Sequence, residues 1–156
     1  MRTSDGEGMK VINIIVPGIA VSKLRARKGK NGNFYTPKKL SDYQEAVGWT
    51  AKEQMLRQEV TAFEKDVPLW LTVAFIKGGK LTGKPDTSNL VKAIEDALNG
   101  VCYHDDSQIV KLFAAKVNPR DGEPIGVAIR IQEAKGEERD GESKTRRNSG
   151  KTSEMG

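Results

Sequence analysis

The chain has a single cysteine in 156 residues, Cys102, so no disulfide can form within it. That scarcity fits a reducing compartment, and cytoplasmic residence is the expectation. It also has a single histidine, His104, so no second histidine can share a metal with it. No stretch reaches the roughly 18 apolar residues that a membrane-crossing helix needs, so no membrane partner is expected. The opening residues MRTSDGEGMK lack the apolar centre of a secretory signal. The most telling absence is local. From Ala20 to Leu40 there is no acidic residue, while Lys23, Arg25, Arg27, Lys28, Lys30, Lys38 and Lys39 are all basic.

One-signed charge over such a length repels itself unless a polyanion neutralises it. The whole chain leans the same way, with 26 Lys+Arg against 21 Asp+Glu and a sequence pI of 9.3. Nucleic-acid phosphate is the natural partner for such a segment. Asn31, Gly32 and Asn33 interrupt it, and Phe34 and Tyr35 follow. It reads as a flexible basic loop with an aromatic edge.

The chain is long enough for one domain with its own core. Residues 1–8 are polar and read as a flexible start. Residues 134–156 mix charges of both signs with Gly and Ser and read as a disordered charged tail. The folded domain is expected over 9–133. Within it, Lys10 to Val16 reads as a strand, stopped by Pro17-Gly18. Thr36-Pro37 reads as a helix start, with Thr36 as cap and Pro37 as first helical residue. Leu40, Tyr43, Val47, Ala51 and Met55 recur every three to four residues, so the helix should extend to Gln58. Trp49 falls off that stripe. Leu69 to Ile76 (LWLTVAFI) is almost continuously apolar and should be a central strand.

A second helix is predicted over Thr87 to Leu98, closed by Asn99-Gly100. A strand over Gln108 to Val117, a hairpin connection over Asn118 to Pro124 and a final strand over Ile125 to Ile131 complete the chain. The order predicts an α+β fold: a small mixed β-sheet with two main helices packed on it.

The chemistry is concentrated between Lys84 and Lys111, KPDTSNLVKAIEDALNGVCYHDDSQIVK. Asp86 stands just before a helix, and Asp105-Asp106 just before a strand. Such carboxylates cap helices and start turns. They also bind hard divalent cations, which take one or two carboxylates, keep waters and share a substrate phosphate. Lys92 lies one helical turn beyond Ser88 and so faces the same side as the helix start. An ammonium there can bind a phosphate. Cys102, at a helix end, reads as a small apolar filler.

These residues resemble the RusA Holliday junction resolvases. That family carries a basic residue, an Asp, a second Asp followed by Asn-Leu, a Lys, then Asp-Ala-Leu, and later Asp-Asp-x-Gln-[Val/Ile]-Val. Here the elements stand as Lys84, Asp86, Ser88, Asn89-Leu90, Lys92, Asp96-Ala97-Leu98 and Asp105-Asp106-Ser107-Gln108-Ile109-Val110. The resemblance implies a homodimeric magnesium-dependent endonuclease for four-way and other branched DNA, encoded by a bacterium or a phage. Manganese is an alternative metal. It implies catalytic Asp86, Lys92 and Asp106, and metal ligands among Asp86, Ser88, Asp105 and Asp106. Lys84 joins the basic loop as a DNA contact. The sequence departs from the family at Ser88, where an Asp is usual. A hydroxyl is a poorer magnesium ligand, so a weakly active or purely DNA-binding protein of the same fold is the alternative, as is a nuclease for flaps or forks.

Overall fold

The computed structural model describes residues 9–23, 27–28, 30, 32, 34–35 and 37–135. The expected flexible start, all but the first two residues of the expected tail, and parts of the basic loop, including Arg25, lie outside the described residues. The main elements are β1 (Val11–Pro17), α1 (Lys38–Gln58), β4 (Leu69–Ile76), α2 (Thr87–Leu98), β5 (Ile109–Val117) and β6 (Gly126–Glu133). Two short strands, β2 (Arg27–Lys28) and β3 (Phe34–Tyr35), pair antiparallel inside the basic segment. That segment is therefore not a plain loop: its basic and aromatic ends form a small ladder.

The main sheet has the order β1-β6-β4-β5. β6 runs antiparallel to both β1 and β4, and β5 runs parallel to β4. Parallel neighbours need a crossover, and α2 provides it. The expectation of a hairpin over Asn118 to Pro124 is corrected here. β5 and β6 do not pair, because β4 lies between them, and the connection passes over the end of β4. Turn residues indicate that the chain reverses, but they carry no information on whether the flanking strands become neighbours.

The sheet is covered on one face. Ile12, Ile14 and Val16, then Leu69, Leu71, Val73 and Phe75, then Val127, Ile129 and Ile131 form the buried layer. α1 contributes Val47, Ala51 and Met55, and α2 contributes Leu90, Val91, Ile94 and Leu98. The near-continuous apolarity of β4 has two sources. Its central position buries one face. On the other face the Lys111 and Lys135 ammonium groups lie 4.3 and 5.8 Å from the Trp70 ring centroid. α1 begins one residue later than expected, with Pro37 as the extended residue before it. The strand expected from Gln108 begins at Ile109 instead, because Asp106–Gln108 form a single 3-10 turn.

α1 also protects an edge of the sheet. The Gln54 side-chain amide accepts from the Ile15 backbone N–H (2.8 Å) and donates to its carbonyl (2.7 Å). Gln58 does the same for Asn13, at 3.4 and 2.6 Å. Two glutamines one helical turn apart thus stand in for a missing neighbour strand. At the other end of β1, a Cβ on Gly126 would lie 2.6 Å from the Val16 carbonyl oxygen, so only glycine allows β1 to close on β6 there.

Candidate active site

α2 presents the first carboxylate. Asp86 occupies the position before the helix with an extended backbone, and its side chain makes no capping hydrogen bond. The ordinary reason for an Asp at this position is therefore unused, and the carboxylate is left half exposed with Lys84 Nζ 3.4 Å away. The approach to it is anchored from β5: Lys116 donates to the carbonyls of Gly83 and Pro85, both at 3.1 Å.

The turn before β5 presents the second acidic pair, and here the two aspartates part company. Asp105 accepts from the Ser107 backbone N–H at 2.9 Å and caps the 3-10 turn reciprocally with Gln108. Those hydrogen bonds hold its carboxyl below the usual aspartate range. Asp106 is free of that task and turns toward α2. Gln108 holds the turn in place. Its side-chain oxygen accepts from the backbone N–H groups of His104 (2.9 Å) and Asp105 (3.1 Å). Its amide donates to the carbonyls of Glu64 (2.9 Å) and Val67 (3.0 Å). It is buried, and all of its capacity is used.

Lys92 is where the two segments meet. Its ammonium lies 3.8 Å from Asp106, 3.8 Å from Glu95 and 3.9 Å from Asp96. The Asn99 side chain donates to Asp106 at 3.4 Å. Asp96 makes its close ion pair with Lys23 instead. Glu95 is the most enclosed carboxylate, with its side chain 14% exposed. Burial raises its pKa above the usual glutamate value; Lys92 opposes that rise, and Asp106 and Asp96 add to it. Tyr103 closes the floor by donating to the Glu95 carbonyl at 2.9 Å.

Not every candidate converges. Among the described residues no side-chain hydrogen bond or ion pair joins Asp86 or Ser88 to the Lys92 group, and no three His, Cys, Asp or Glu side chains form a metal cage. Magnesium does not require such a cage, since one or two carboxylates suffice when waters and a phosphate complete the shell. Asp86 and Asp106 are hard oxygen donors, partly exposed, and neither is spent on capping. They fit that cation. Ser88 is exposed on the first turn of α2. Of the basic candidates, Lys23 is drawn to α2 by Asp96, Lys38 pairs with Asp42, and Lys30, Lys39 and Lys84 are exposed. Arg27 and Lys28 lie on β2. His104 is exposed, and Cys102 is buried against Met55 with its thiol pushed up to about 12 by burial, as a filler should be.

Three residues of the site were not among the candidates. Glu95 was legible from its spacing, three positions beyond Lys92 on one helix face. Gln108 stood in the motif without a role and Asn99 carried no signal, because what each does depends on partners brought in by the fold.

The family model for Endodeoxyribonuclease RusA matches residues 17–132, from the end of β1 to the end of β6. The crossover junction endodeoxyribonuclease rusA of Lactococcus phage r1t is 39% identical over 101 residues, 58% of this chain and 72% of that protein. The protein YqaN of Bacillus subtilis (strain 168) is 54% identical over 35 residues, 22% of this chain and 25% of that protein. With a match that spans both helices, three of the four strands of the main sheet and every carboxylate around Lys92, the chain belongs to the RusA family of endodeoxyribonucleases.

Proposed function

We propose that the protein is a magnesium-dependent endonuclease that resolves four-way DNA junctions by symmetric phosphodiester hydrolysis, in recombination and repair. In this reading it works as a homodimer in the cytoplasm of a bacterium or of a phage-infected cell. Membership of the family and the activity named for the phage relative support the reaction class. The observation that carries the reading is the placement of Lys92 against Asp106, which ties α2 to the turn before β5.

Asp86 and Asp106 would hold magnesium or manganese, with Ser88 and Asp105 as weaker contributors. When bound, such a metal supplies Lewis acidity and an acidified water. The remaining work falls to the chain. Lys92 is about half exposed, so its ammonium can meet a phosphate oxygen and stabilise the charge that develops on it. Because Asp96 is held by Lys23, Lys92 is not locked into a closed pair. Gln108 keeps the Asp106 turn rigid, so that the carboxylate does not have to be ordered at the moment of reaction. The basic residues Arg25, Arg27, Lys28, Lys30, Lys38, Lys39 and Lys84 contact backbone phosphates, and the branch shape selects the substrate.

The test is cleavage of a synthetic four-way junction, with flaps, forks and linear duplex beside it, with and without magnesium. The expected result is paired nicks in the junction only when magnesium or manganese is present, and binding without cutting by Asp106→Asn. Normal cutting by that variant would falsify the site. Ser88 favours a second reading, a branched-DNA binder with little activity, since the family usually has a carboxylate there. Junction binding without nicking in the wild type, restored by Ser88→Asp, would select it. Preferential cutting of flaps or forks would keep the chemistry and change the substrate.

A further inference from the structure

An apolar hollow opens beside Asp86, at the carboxyl end of β4. The segment after β1, the connection from β4 to α2 and the start of β6 come together there, and Ile19, Ile76, Pro85, Leu90 and Ile125 are among its walls. Its volume is about 340 Å³, within the range of pockets that hold small organic molecules. Ile19 and Ile125 are 79% and 41% exposed, so the mouth is apolar as well as the floor. Exposed apolar surface of this kind marks a place where something docks. Cations stand around it. Lys77 is the one charged residue among the described residues that line it. The Lys116 ammonium donates to the Pro85 carbonyl at 3.1 Å. The Lys23 backbone N–H donates to the carbonyl of Asn89, beside Leu90, at 2.9 Å. Lys84 precedes Pro85 and is exposed.

We infer that this hollow receives a nucleobase of the DNA substrate, unstacked from the strand beside the phosphate that Asp86 engages. The inference rests on the proposed function and adds a subsite to it. The chemistry of the walls and rim selects the occupant. A purely apolar ligand fills the walls and leaves the surrounding lysines without a counter-charge. A phosphate alone answers the lysines and leaves the walls wet. A nucleotide uses both, with flat apolar faces on the base and an anion on the same residue. The hollow is also continuous with the site. Pro85, in its wall, is followed directly by Asp86, and Ile19 and Ala20 lead into the basic segment. Unstacking a base is least costly where pairing is already interrupted, as at a branch point. Aliphatic walls accept the face of a base without reading its edge, so the subsite holds the strand in register: with one base seated, the neighbouring phosphate is fixed at Asp86.

The experiment uses the full chain and four-way junctions that carry aminopurine, a fluorescent base that brightens on leaving a stack. The label is placed in turn on each nucleotide flanking the cleaved phosphate, and binding is followed with a chelator present. Gly78→Leu fills the hollow. A Cβ on Gly78 would meet only Ile125 Cδ1, at 4.0 Å, and the residue has no positive φ, so the backbone tolerates the side chain. Ile19→Ser is the second variant, at an exposed position where stability changes little. Circular dichroism establishes that both fold. For wild type, fluorescence should rise at one labelled position; Gly78→Leu should bind the junction without that rise. With magnesium, Gly78→Leu should cut the intact junction about tenfold more slowly than wild type, the scale of one lost base contact. On a junction lacking that base the two should cut equally, a coupling that general structural damage does not produce. Ile19→Ser should lower both the rise and the rate. Cutting by wild type with no rise at either position overturns the inference and leaves the proposed function standing. So does the same rise in a folded Gly78→Leu or, if that variant does not fold, an unchanged rise and rate in Ile19→Ser. A rise that Gly78→Leu removes, in a protein that does not cut, sinks the proposed function and leaves the base subsite standing.

Discussion

The residues around Lys92 divide into those that hold the site and those left free to act. Asp86 is the clearest of the second kind, since its capping capacity is unused. A working side-chain cap contributes about 1 kcal/mol. With none made, Asp86→Asn loses only the exposed ion pair with Lys84 and the weak attraction of its charge to the helix N-terminus, together about 1 kcal/mol or less. Denaturant unfolding should therefore barely change in Asp86→Asn while junction cleavage is lost. Gln108 is of the first kind. Gln108→Leu leaves two carbonyls and two N–H groups without their partner and should cost about 2–4 kcal/mol. Its unfolding midpoint should fall, and cleavage should fall with it. Glu95 lies between the two. Its pKa is raised, chiefly by burial, so the stability it contributes in acid is lost as pH rises from the usual glutamate value through the raised one. Glu95→Gln should match wild type in acid and become the more stable protein above that window, as thermal melts across pH will show. The resemblance made Asp86, Lys92 and Asp106 the expected catalytic residues and Asp105 only a further metal ligand. That Asp105 is spent on its own turn while Asp106 faces Lys92 depends on which way each side chain turns in the folded chain.

At the scale of elements, α1 does more than bury a stripe. Its inner face packs on β1 and α2, and Gln54 and Gln58 seal the β1 edge. Gly48 sits in mid-helix where α1 meets α2, and a Cβ there would lie 3.6 Å from the Ala97 carbonyl oxygen and 3.8 Å from Val101. Those are ordinary contacts, so the close approach of the helices does not require glycine. Gly48→Ala should stabilise the protein by about 0.5–1 kcal/mol through helix propensity, measured by chemical unfolding. A loss of stability would mean the helices pack more tightly here than these distances allow. α1, α2 and β4 were legible in the sequence almost to the residue, because 3.6- and 2-residue periodicities are local properties of the backbone. The 3-10 turn at Asp106–Gln108 was not, because one turn is too short to show a period. The hairpin expected over Asn118 to Pro124 failed for a different reason: β4 had already taken the position beside β5.

At the scale of the whole molecule, the described residues make a basic, two-layer domain with one covered sheet face and, at β5, an edge that none of them pairs with. The chain's formal net charge is +5, and Lys30, Lys39 and Lys84 are exposed. Junction binding should weaken steeply with salt, by about tenfold or more between low and physiological ionic strength, as phosphate neutralisation releases counterions. Salt-insensitive binding in a titration by fluorescence anisotropy would remove the basic segment from the interface. The sequence by itself determined the element types, the α+β class and the family. Those follow from local periodicity and from residue types at fixed spacing, which the chain carries wherever it folds. Only the tertiary structure decided the strand order, the meeting of Lys92 with Asp106, the clamp made by Gln108 and the contrast between the sealed and the open edge. Each of those joins residues far apart in the chain, and such pairs are selected by which surfaces exclude water together, a choice that no short stretch of sequence records.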